Sequence, residues 1–257
     1  MILKLKFFVF RFLCNDFTGS LLQKLFRHSI PDIRWRGFRF SLPAKGVNKI
    51  NVAAIFWGFY ESSEIRMIRK FFDGNSDVVE LGSSLGVVGS HIVSRLKPGK
   101  RLISVEANPL LVANIAGNLG RFAAPGVQFK VLNNAIGYQG GRAVMHISDD
   151  NTETRMIEKP AALSVNDLEI DTITLSKIIE TEGLSDFTLV CDIEGAEIGI
   201  IQSDPQSLNR CRHLFIELHT TSLEGRRVSP EEILSKLVGE QGFQLISRHG
   251  PVCYLKK

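Results

Sequence analysis

The sequence predicts an α/β fold built on a doubly wound, mostly parallel sheet of seven strands. From Asp77 onward, short apolar runs alternate with segments of helical apolar spacing, which is the pattern of parallel strands joined by crossover helices. The last two apolar runs are separated only by His249 and Gly250, a connection short enough to require a C-terminal antiparallel hairpin. A turn between Gly82 and Gly86 joins the first run to a helical segment, as in sheets of this kind that bind a cofactor.

The elements follow in order along the chain. The predicted strands cover residues 77–81, 101–106, 127–136, 187–193, 213–219, 243–248 and 251–256. The predicted helices cover residues 87–96, 109–119, 174–182, 197–202 and 230–239. A second hairpin is predicted between residues 137 and 147, where a glycine-containing segment precedes the run RAVMHI.

Length and composition fit one globular domain with an N-terminal extension. The chain has 257 residues, 44% hydrophobic and 23% charged, which excludes a largely disordered chain. We expect residues 1–57 to form a basic extension and residues 58–257 to form the sheet domain. The four cysteines show no paired spacing, which favours a reducing compartment, the cytoplasm.

The N-terminal part is basic and begins with an apolar segment. Residues 1–13 include Lys4, Lys6 and Arg11, and are too short and too charged for a membrane-spanning helix of about 20 residues. We interpret them as a helix that packs on the rest of the protein; the alternative is a segment that lies on a membrane surface. Residues 1–70 hold 13 Lys and Arg against 4 Asp and Glu, a balance of +9. Such a surface suits an anionic acceptor or is simply solvated, and no nucleic-acid-binding signature accompanies it.

The first candidate site element is the strand end and turn that contain Glu80, Gly82, Ser83 and Gly86. The turn has the pattern G-x-x-x-G, unlike the G-x-G-x-x-G fingerprint of dinucleotide-binding proteins. Its backbone amides and small residues suit a cofactor, although glycine also serves tight turns without a ligand.

The next two strand ends add candidate cofactor contacts. Glu106 ends the second strand, where a carboxylate can accept hydrogen bonds from ribose hydroxyls, and Asn108 precedes a helix-starting proline. The segment after the third strand places Asn134, Ala135 and Ile136 where an adenine ring would lie, on position alone.

Acidic residues and a histidine follow the fourth and fifth strands. Asp192, Glu194 and Glu197 lie within six residues, and Glu217 and His219 end the next strand. Because the carboxyl ends of parallel strands meet at one edge, these side chains can orient a substrate, accept a proton or hold a metal. Glu197 can instead start a helix, and a lone histidine is often structural.

These motifs together resemble the FkbM family of S-adenosylmethionine-dependent methyltransferases. The resemblance runs from the GFYE segment at Gly58 through VEANP, NNAIG, EIDTITLSKII, DIEGAE and IELH, with DIEGAE the most specific. It implies a class I methyltransferase, Rossmann-like fold and methyl transfer from S-adenosylmethionine to a hydroxyl of a sugar or natural product, such as a surface polysaccharide. Glu80 and Ser83 depart from the family's usual aspartate and small residue. Asp192, which heads the DIEGAE motif, is a candidate cofactor contact as well as a candidate catalytic residue, and Tyr60 and Glu61 are further candidate cofactor contacts.

Two other functions stay open from the sequence. One is a nicotinamide-dependent nucleotide-sugar oxidoreductase or epimerase, and the other is a Rossmann-like binding module without turnover. A divalent metal at the acidic cluster is permitted but not favoured, because such clusters are also common in metal-free sites.

Overall fold

The computed structural model describes residues 9–27, 29–43, 47–138, 140–146, 155–157, 164, 167–223 and 225–257. Its centre is a seven-stranded sheet in the spatial order β14-β15-β11-β10-β3-β4-β5. The strands are β3 (Asp77–Leu81), β4 (Arg101–Val105), β5 (Gln128–Leu132), β10 (Phe187–Cys191), β11 (Cys211–Glu217), β14 (Gln244–His249) and β15 (Val252–Lys256).

The pairing of these strands confirms the predicted mostly parallel sheet. Strands β5, β4, β3, β10 and β11 run parallel, while β15 is antiparallel to both β11 and β14. Buried residues fill the interior strands continuously, as all five residues of β10 show, because helices cover both faces of a parallel sheet. The chain order reverses beside β3, so β3 and β10 flank the switch point where ligands bind in such sheets.

Helices pack on both faces of the sheet. They are α3 (Ser62–Phe71), α4 (Val87–Val93), α5 (Pro109–Phe122), α6 (Leu175–Glu182), α7 (Glu197–Ser203) and α8 (Pro230–Gly239). Local sequence sets several of their starts, since the side chains of Asn108, Thr174 and Ser229 accept hydrogen bonds from backbone N–H groups in the first turns of α5, α6 and α8. One apolar core lies between the sheet and α3–α5, and another lies between the sheet and α6–α8.

The N-terminal elements share the first of these cores. Residues 9–13 are helical, and α1 (Asp16–Leu25), β1 (Ser29–Pro31), β2 (Arg39–Ser41) and α2 (Lys49–Trp57) follow. Buried Leu22, Ile30, Phe40 and Val52 join the core on the α3–α5 face. Within the described residues, no helix has both the length and the apolarity needed to cross a bilayer. Cys14, Cys191, Cys211 and Cys253 are buried, free thiols.

A second sheet corrects two predictions. Its strands, in the order β6-β9-β7-β8, are β6 (Ala135–Ile136), β7 (Arg142–His146), β8 (Arg155–Ile157) and β9 (Asp167–Ile173). The predicted strand 127–136 is therefore split into β5 and β6, which belong to different sheets. The predicted hairpin at 137–147 is also wrong, because β7 pairs with β9, while β6 pairs with the other edge of β9. Two short antiparallel strands, β12 (Thr221–Leu223) and β13 (Arg226–Val228), and a 3-10 helix at Ser207–Arg210 complete the described elements.

Candidate functional site

The loop after β3 is fastened to the end of β4. Gly82 and Ser83 donate backbone hydrogen bonds to the carbonyl of Val105, and the Ser84 backbone N–H donates to Glu106 Oε2 at 2.8 Å. The other Glu106 oxygen, Oε1, accepts from the Asn108 N–H at 2.7 Å. These bonds hold the Glu106 carboxylate at the strand end, the position from which such a carboxylate accepts hydrogen bonds of ribose hydroxyls.

Gly82 is required because this loop also touches the end of β10. Its φ is +83°, and a Cβ there would lie 1.7 Å from the carbonyl oxygen of Asp192. The contact places the candidate cofactor loop directly beside the acidic strand end. Gly86 has φ +73° and starts α4, while Ser90 returns a hydroxyl hydrogen bond to its carbonyl.

Glu80 and Ser83 point inward beneath the loop. The Ser104 hydroxyl donates to Glu80 Oε2 at 2.6 Å, the Ser83 hydroxyl contacts that of Ser104, and the Glu80 carboxylate packs on Gly89 of α4. Burial raises the pKa of Glu80 to about 7. Glu80 therefore shapes the loop from below.

The predicted adenine-side residues lie next to Glu106. Asn133 donates hydrogen bonds to the carbonyls of Glu106 and Ala107, which holds the segment after β5 against the β4 end. Asn134 is tied to the carbonyl of Asp171, and Ala135 and Ile136 form β6. The Asn134 amide is thus engaged with backbone, whereas Ala135 and Ile136 offer a small apolar wall.

The predicted acidic residues and histidine converge as expected. His219 Nε2 lies 3.8 Å from Asp192 Oδ1, 3.5 Å from Glu194 Oε2 and 3.7 Å from Glu217 Oε1. Its other ring nitrogen, Nδ1, lies 3.0 Å from Glu197 Oε1. Four carboxylates from two strand ends and one helix thus surround a single imidazole.

The charge states in this cluster follow from its crowding. Burial and the neighbouring Glu217 carboxylate raise the pKa of Asp192 to about 7, and the hydrogen bond to Glu197 raises the pKa of His219 to about 9. His219 is therefore an imidazolium at neutral pH, with no lone pair available for a proton. The carboxylates of Asp192, Glu194 and Glu217 are therefore the candidate proton acceptors among the predicted catalytic residues.

Glu197 has a structural position as well. Its Oε1 accepts from the backbone N–H groups of Ile193 and Gly195 at 3.3 and 3.2 Å, in addition to the contact with His219. It also stands at the first position of α7, where a negative charge is favoured. Through these hydrogen bonds, Glu197 stabilises the DIEGAE turn and positions the ring of His219.

Glu61 and Glu64 bring two further acids to the cluster. Both precede the central sheet in sequence, and Glu64 Oε atoms come within 4.8 Å of carboxylate oxygens of Asp192 and Glu217. Burial, followed by the charge of Asp192, raises the pKa of both groups well above the ordinary carboxyl range. From the sequence, Glu61 is predicted only as a cofactor contact, and Glu64 is not predicted. Glu64 lies on the buried face of α3 with Ile65 and Ile68, and its charged segment carries no sequence signal of that burial.

Backbone strain marks the same edge of the sheet. In the described part of the chain, the non-glycine residues with positive φ are Glu61 (+46°), Ser84 (+46°) and Glu194 (+52°). All three lie in the loops that carry the candidate site, and Tyr60 Oη joins two of these loops through Ser84 Oγ at 2.9 Å. Strained residues of this kind persist where the surrounding structure holds them, and they concentrate at functional sites.

Solved structures with a similar chain path are distant. They include magnesium protoporphyrin IX methyltransferase from Synechocystis with bound S-adenosylhomocysteine, at 10% identity and a TM-score of 0.41, covering 76% of this chain and 78% of that one. Precorrin-6y C5,15-methyltransferase from Geobacter metallireducens is 13% identical with a TM-score of 0.42, covering 84% and 91%. A protein of the NADB-Rossmann superfamily from Streptococcus agalactiae is 9% identical with a TM-score of 0.43, covering 76% and 68%. A search of curated proteins found no match.

The sequence matches a family model directly. The model of the methyltransferase FkbM domain covers residues 84–245, more than half of the chain. This stretch includes Glu106, the DIEGAE turn, Glu217 and His219, and it favours methyl transfer over the nicotinamide-dependent alternative. The matched stretch begins after Glu64, Glu80 and Gly82, so the family match gives no support to the roles of these three residues. The chain belongs to the FkbM family of S-adenosylmethionine-dependent methyltransferases.

Proposed function

We propose that the protein transfers a methyl group from S-adenosylmethionine to a hydroxyl of a sugar or glycan. The supporting observation is the contact between Gly82 and Asp192, which sets the candidate cofactor loop beside three carboxylates. Carboxylates accept hydrogen bonds from hydroxyls, so a cluster of them suits an acceptor with several hydroxyl groups. Modification of a surface polysaccharide would be one such reaction.

The chain's residues would perform three tasks in this reaction. Glu106 would hold the ribose of the cofactor, and the 82–86 loop would fix its position. The carboxylates of Asp192, Glu194 and Glu217 would orient the acceptor in line with the methyl group. The acceptor oxygen forms a bond to the methyl carbon while the carbon–sulfur bond breaks, its electron pair going to sulfur to give S-adenosylhomocysteine. The hydroxyl proton passes to one of the three carboxylates.

Replacement of Asp192 tests this assignment. We expect Asp192→Asn to lower turnover with radiolabelled S-adenosylmethionine and extracted glycans by at least about 100-fold, since general-base and positioning effects are of that size. Calorimetry should show S-adenosylhomocysteine still bound, because the loop and Glu106 are untouched. The control is Asp186→Asn, an exposed acid just before the amino end of the same strand, which pairs with Arg212.

Three results would contradict parts of the proposal. Absence of S-adenosylmethionine and S-adenosylhomocysteine binding to folded protein would remove the cofactor assignment. Unchanged turnover in Asp192→Asn would remove that residue from the reaction, and methylation confined to nitrogen or carbon atoms would remove the hydroxyl acceptor.

A further inference from the structure

We propose that Glu64, Asp192 and Glu217 form a binding site for one divalent cation, of the Mg²⁺, Mn²⁺ or Ca²⁺ type. The residues come from helix α3 and the ends of strands β10 and β11, three elements far apart in sequence. Cation binding itself does not depend on the proposed function. The role of the ion, in contrast, rests on the proposed function, because a cation here would bind the acceptor's oxygens beside the methyl donor.

The spacing of the carboxylates fits a single ion. One oxygen from each of the three residues lies within 4.8 Å of the other two. Oxygens on opposite sides of an ion are about 4.2 Å apart for Mg²⁺ and about 4.8 Å apart for Ca²⁺, given their usual bond lengths. Three carboxylates also match the preference of these ions for oxygen ligands.

Glu64 supplies the observation that points to a ligand. The residue is only 2% exposed, and its Oε1 has no hydrogen-bond partner. Asp192 Oδ1 is also without a hydrogen-bond partner, and its nearest charged neighbour is His219 Nε2 at 3.8 Å. Burying an unpaired carboxylate costs free energy unless a cation or a donor compensates it. A divalent ion between Glu64 and Asp192 would supply that compensation.

A second grouping, Asp192 with Glu197 and His219, is also compact but is less suitable. Glu197 Oε1 already accepts two backbone N–H groups and the His219 contact. Glu197 Oε2 is unpartnered, as Glu64 Oε1 is, but this grouping also needs the imidazole of His219, which is already engaged with Glu197. The Glu64 grouping offers three carboxylates, the ligand type that Mg²⁺, Mn²⁺ and Ca²⁺ prefer.

Direct metal binding tests the site without reference to turnover. Chelator-treated, folded full-length protein is titrated with Mn²⁺, and bound ion is followed by electron paramagnetic resonance, with Mg²⁺ as competitor. We expect one Mn²⁺ per chain, displaced by Mg²⁺. Glu64→Gln keeps the side-chain size, and we expect it to weaken binding by at least about tenfold, since even loss of a group behind the ligands has that effect. Glu217→Gln should act in the same direction.

The matched control is Asp204→Asn. Asp204 is a buried acid outside the cluster, satisfied by Ser176 N–H and the Ser207 hydroxyl, so its loss should leave Mn²⁺ affinity unchanged. Absence of Mn²⁺ binding by folded protein would overturn the site. Equal Mn²⁺ affinity in wild type and in both Glu64→Gln and Glu217→Gln would overturn it as well. Thermal unfolding of each variant establishes that it is folded.

Failure of this site and failure of the proposed function give different results. If chelator-treated protein binds S-adenosylhomocysteine and methylates glycans but does not bind Mn²⁺, the metal site is refuted and the proposed function stands. If the protein binds Mn²⁺ through Glu64 but does not bind S-adenosylhomocysteine, the proposed function is refuted and the metal site stands.

An independent observation concerns the outer face of helix α1. We infer that Phe17, Leu21 and Leu25 dock on an anionic lipid surface. They recur at every fourth position on one side of the helix and are 80%, 56% and 69% exposed. The opposite side is fixed to the body of the protein, because Leu22 is buried and a Cβ on Gly19 would meet the Lys49 carbonyl oxygen at 1.9 Å.

Charge favours lipid over a second protein chain as the occupant of this face. Exposed Lys24 and Arg27 flank its C-terminal end, and residues 1–70 carry a balance of +9. Two copies meeting through this face would bring those positive charges together, whereas an anionic headgroup layer would neutralise them.

Vesicle flotation tests the inference. We expect the full chain to float with vesicles that contain phosphatidylglycerol, far less with phosphatidylcholine alone, and less at high salt. The variant F17S/L21S/L25S should lose binding, while the control L245S/I246S, which changes exposed apolar residues on β14, should retain it. Absence of flotation of the wild type would overturn the inference. So would a dimer in gel filtration that only the triple variant dissociates.

Discussion

At the scale of single residues, His91 is a buried histidine with no hydrogen-bond partner on either ring nitrogen. It is fully buried in α4, with its ring centroid 3.8 Å from that of Phe38. Burial, helped by Arg69 and Arg95, lowers the pKa of His91 to about 3. The unfolded chain, with an ordinary histidine pKa of about 6.5, therefore binds a proton between these values that the folded chain does not. Stability contributed by neutral His91 is complete above about pH 6.5 and is lost as the pH falls towards 3.

This residue gives a pH-dependent prediction. Between pH 7.5 and 5.5, the protonation of His91 in the unfolded state should remove about 1.4 kcal/mol from the free energy of unfolding. His91→Leu should lose that much less over the same interval in urea unfolding. Ile92→Val, which changes a buried apolar neighbour in the same helix and no titrating group, should keep the pH dependence of the wild type. Parallel pH profiles for wild type and His91→Leu would contradict the buried, neutral state.

At the scale of elements, the fit between α4 and β3 depends on Gly89. Alanine is normally better than glycine inside a helix by about 1 kcal/mol. A Cβ on Gly89, however, would lie 2.7 Å from Glu80 Oε2 and 2.9 Å from Leu119 Cδ2, and both side chains are fully buried. We expect Gly89→Ala to lower the free energy of unfolding by about 1 to 3 kcal/mol through overpacking.

Gly117 of α5 provides the matched comparison. A Cβ there meets no atom within 4 Å, so Gly117→Ala should raise the free energy of unfolding by about 0.5 to 1 kcal/mol. Chemical denaturation of both variants separates local packing from helix propensity. A stabilising Gly89→Ala would show that α4 does not pack on Glu80 as described.

The same scale explains which elements the sequence could predict. The interior strands were predictable because helices cover both faces, so their apolar residues run continuously, as in β3 and β10. Strand β9 was not predicted although its polar and apolar residues alternate; only Ile170 in it is buried, and it pairs with β7 across a long sequence separation. The glycine-containing segment at residues 137–141 favoured a hairpin. The partner of β7 is instead β9, a strand distant in sequence, which local turn residues do not specify.

At the scale of the whole molecule, the candidate site was predictable where topology decides it. Asp192, Glu217 and His219 could be grouped because the carboxyl ends of adjacent parallel strands meet at one edge. Glu64 could not, because it lies in the charged segment SSEIRMIRKF, which has the composition of a solvated helix. Only the packing of α3 on the sheet turns that carboxylate towards Asp192. The inward direction of Glu80 likewise depends on Ser104 and Gly89, which lie on other elements.

Cofactor binding should stabilise the molecule as a unit, because the candidate pocket joins the ends of β3 and β4 to the start of α5 through Glu106. A ligand at 100 times its Kd adds about 2.7 kcal/mol, which for a chain of this size raises Tm by roughly 5 to 11 °C. We expect S-adenosylhomocysteine to produce such a shift in thermal unfolding of the wild type. Glu106→Gln should lose most of the shift, because the amide offers the ribose one acceptor fewer. Glu80→Gln should keep it, since that carboxylate lies beneath the loop and faces Ser104. A full shift in Glu106→Gln, or its loss in Glu80→Gln, would reverse the roles that the two acids have in this structure.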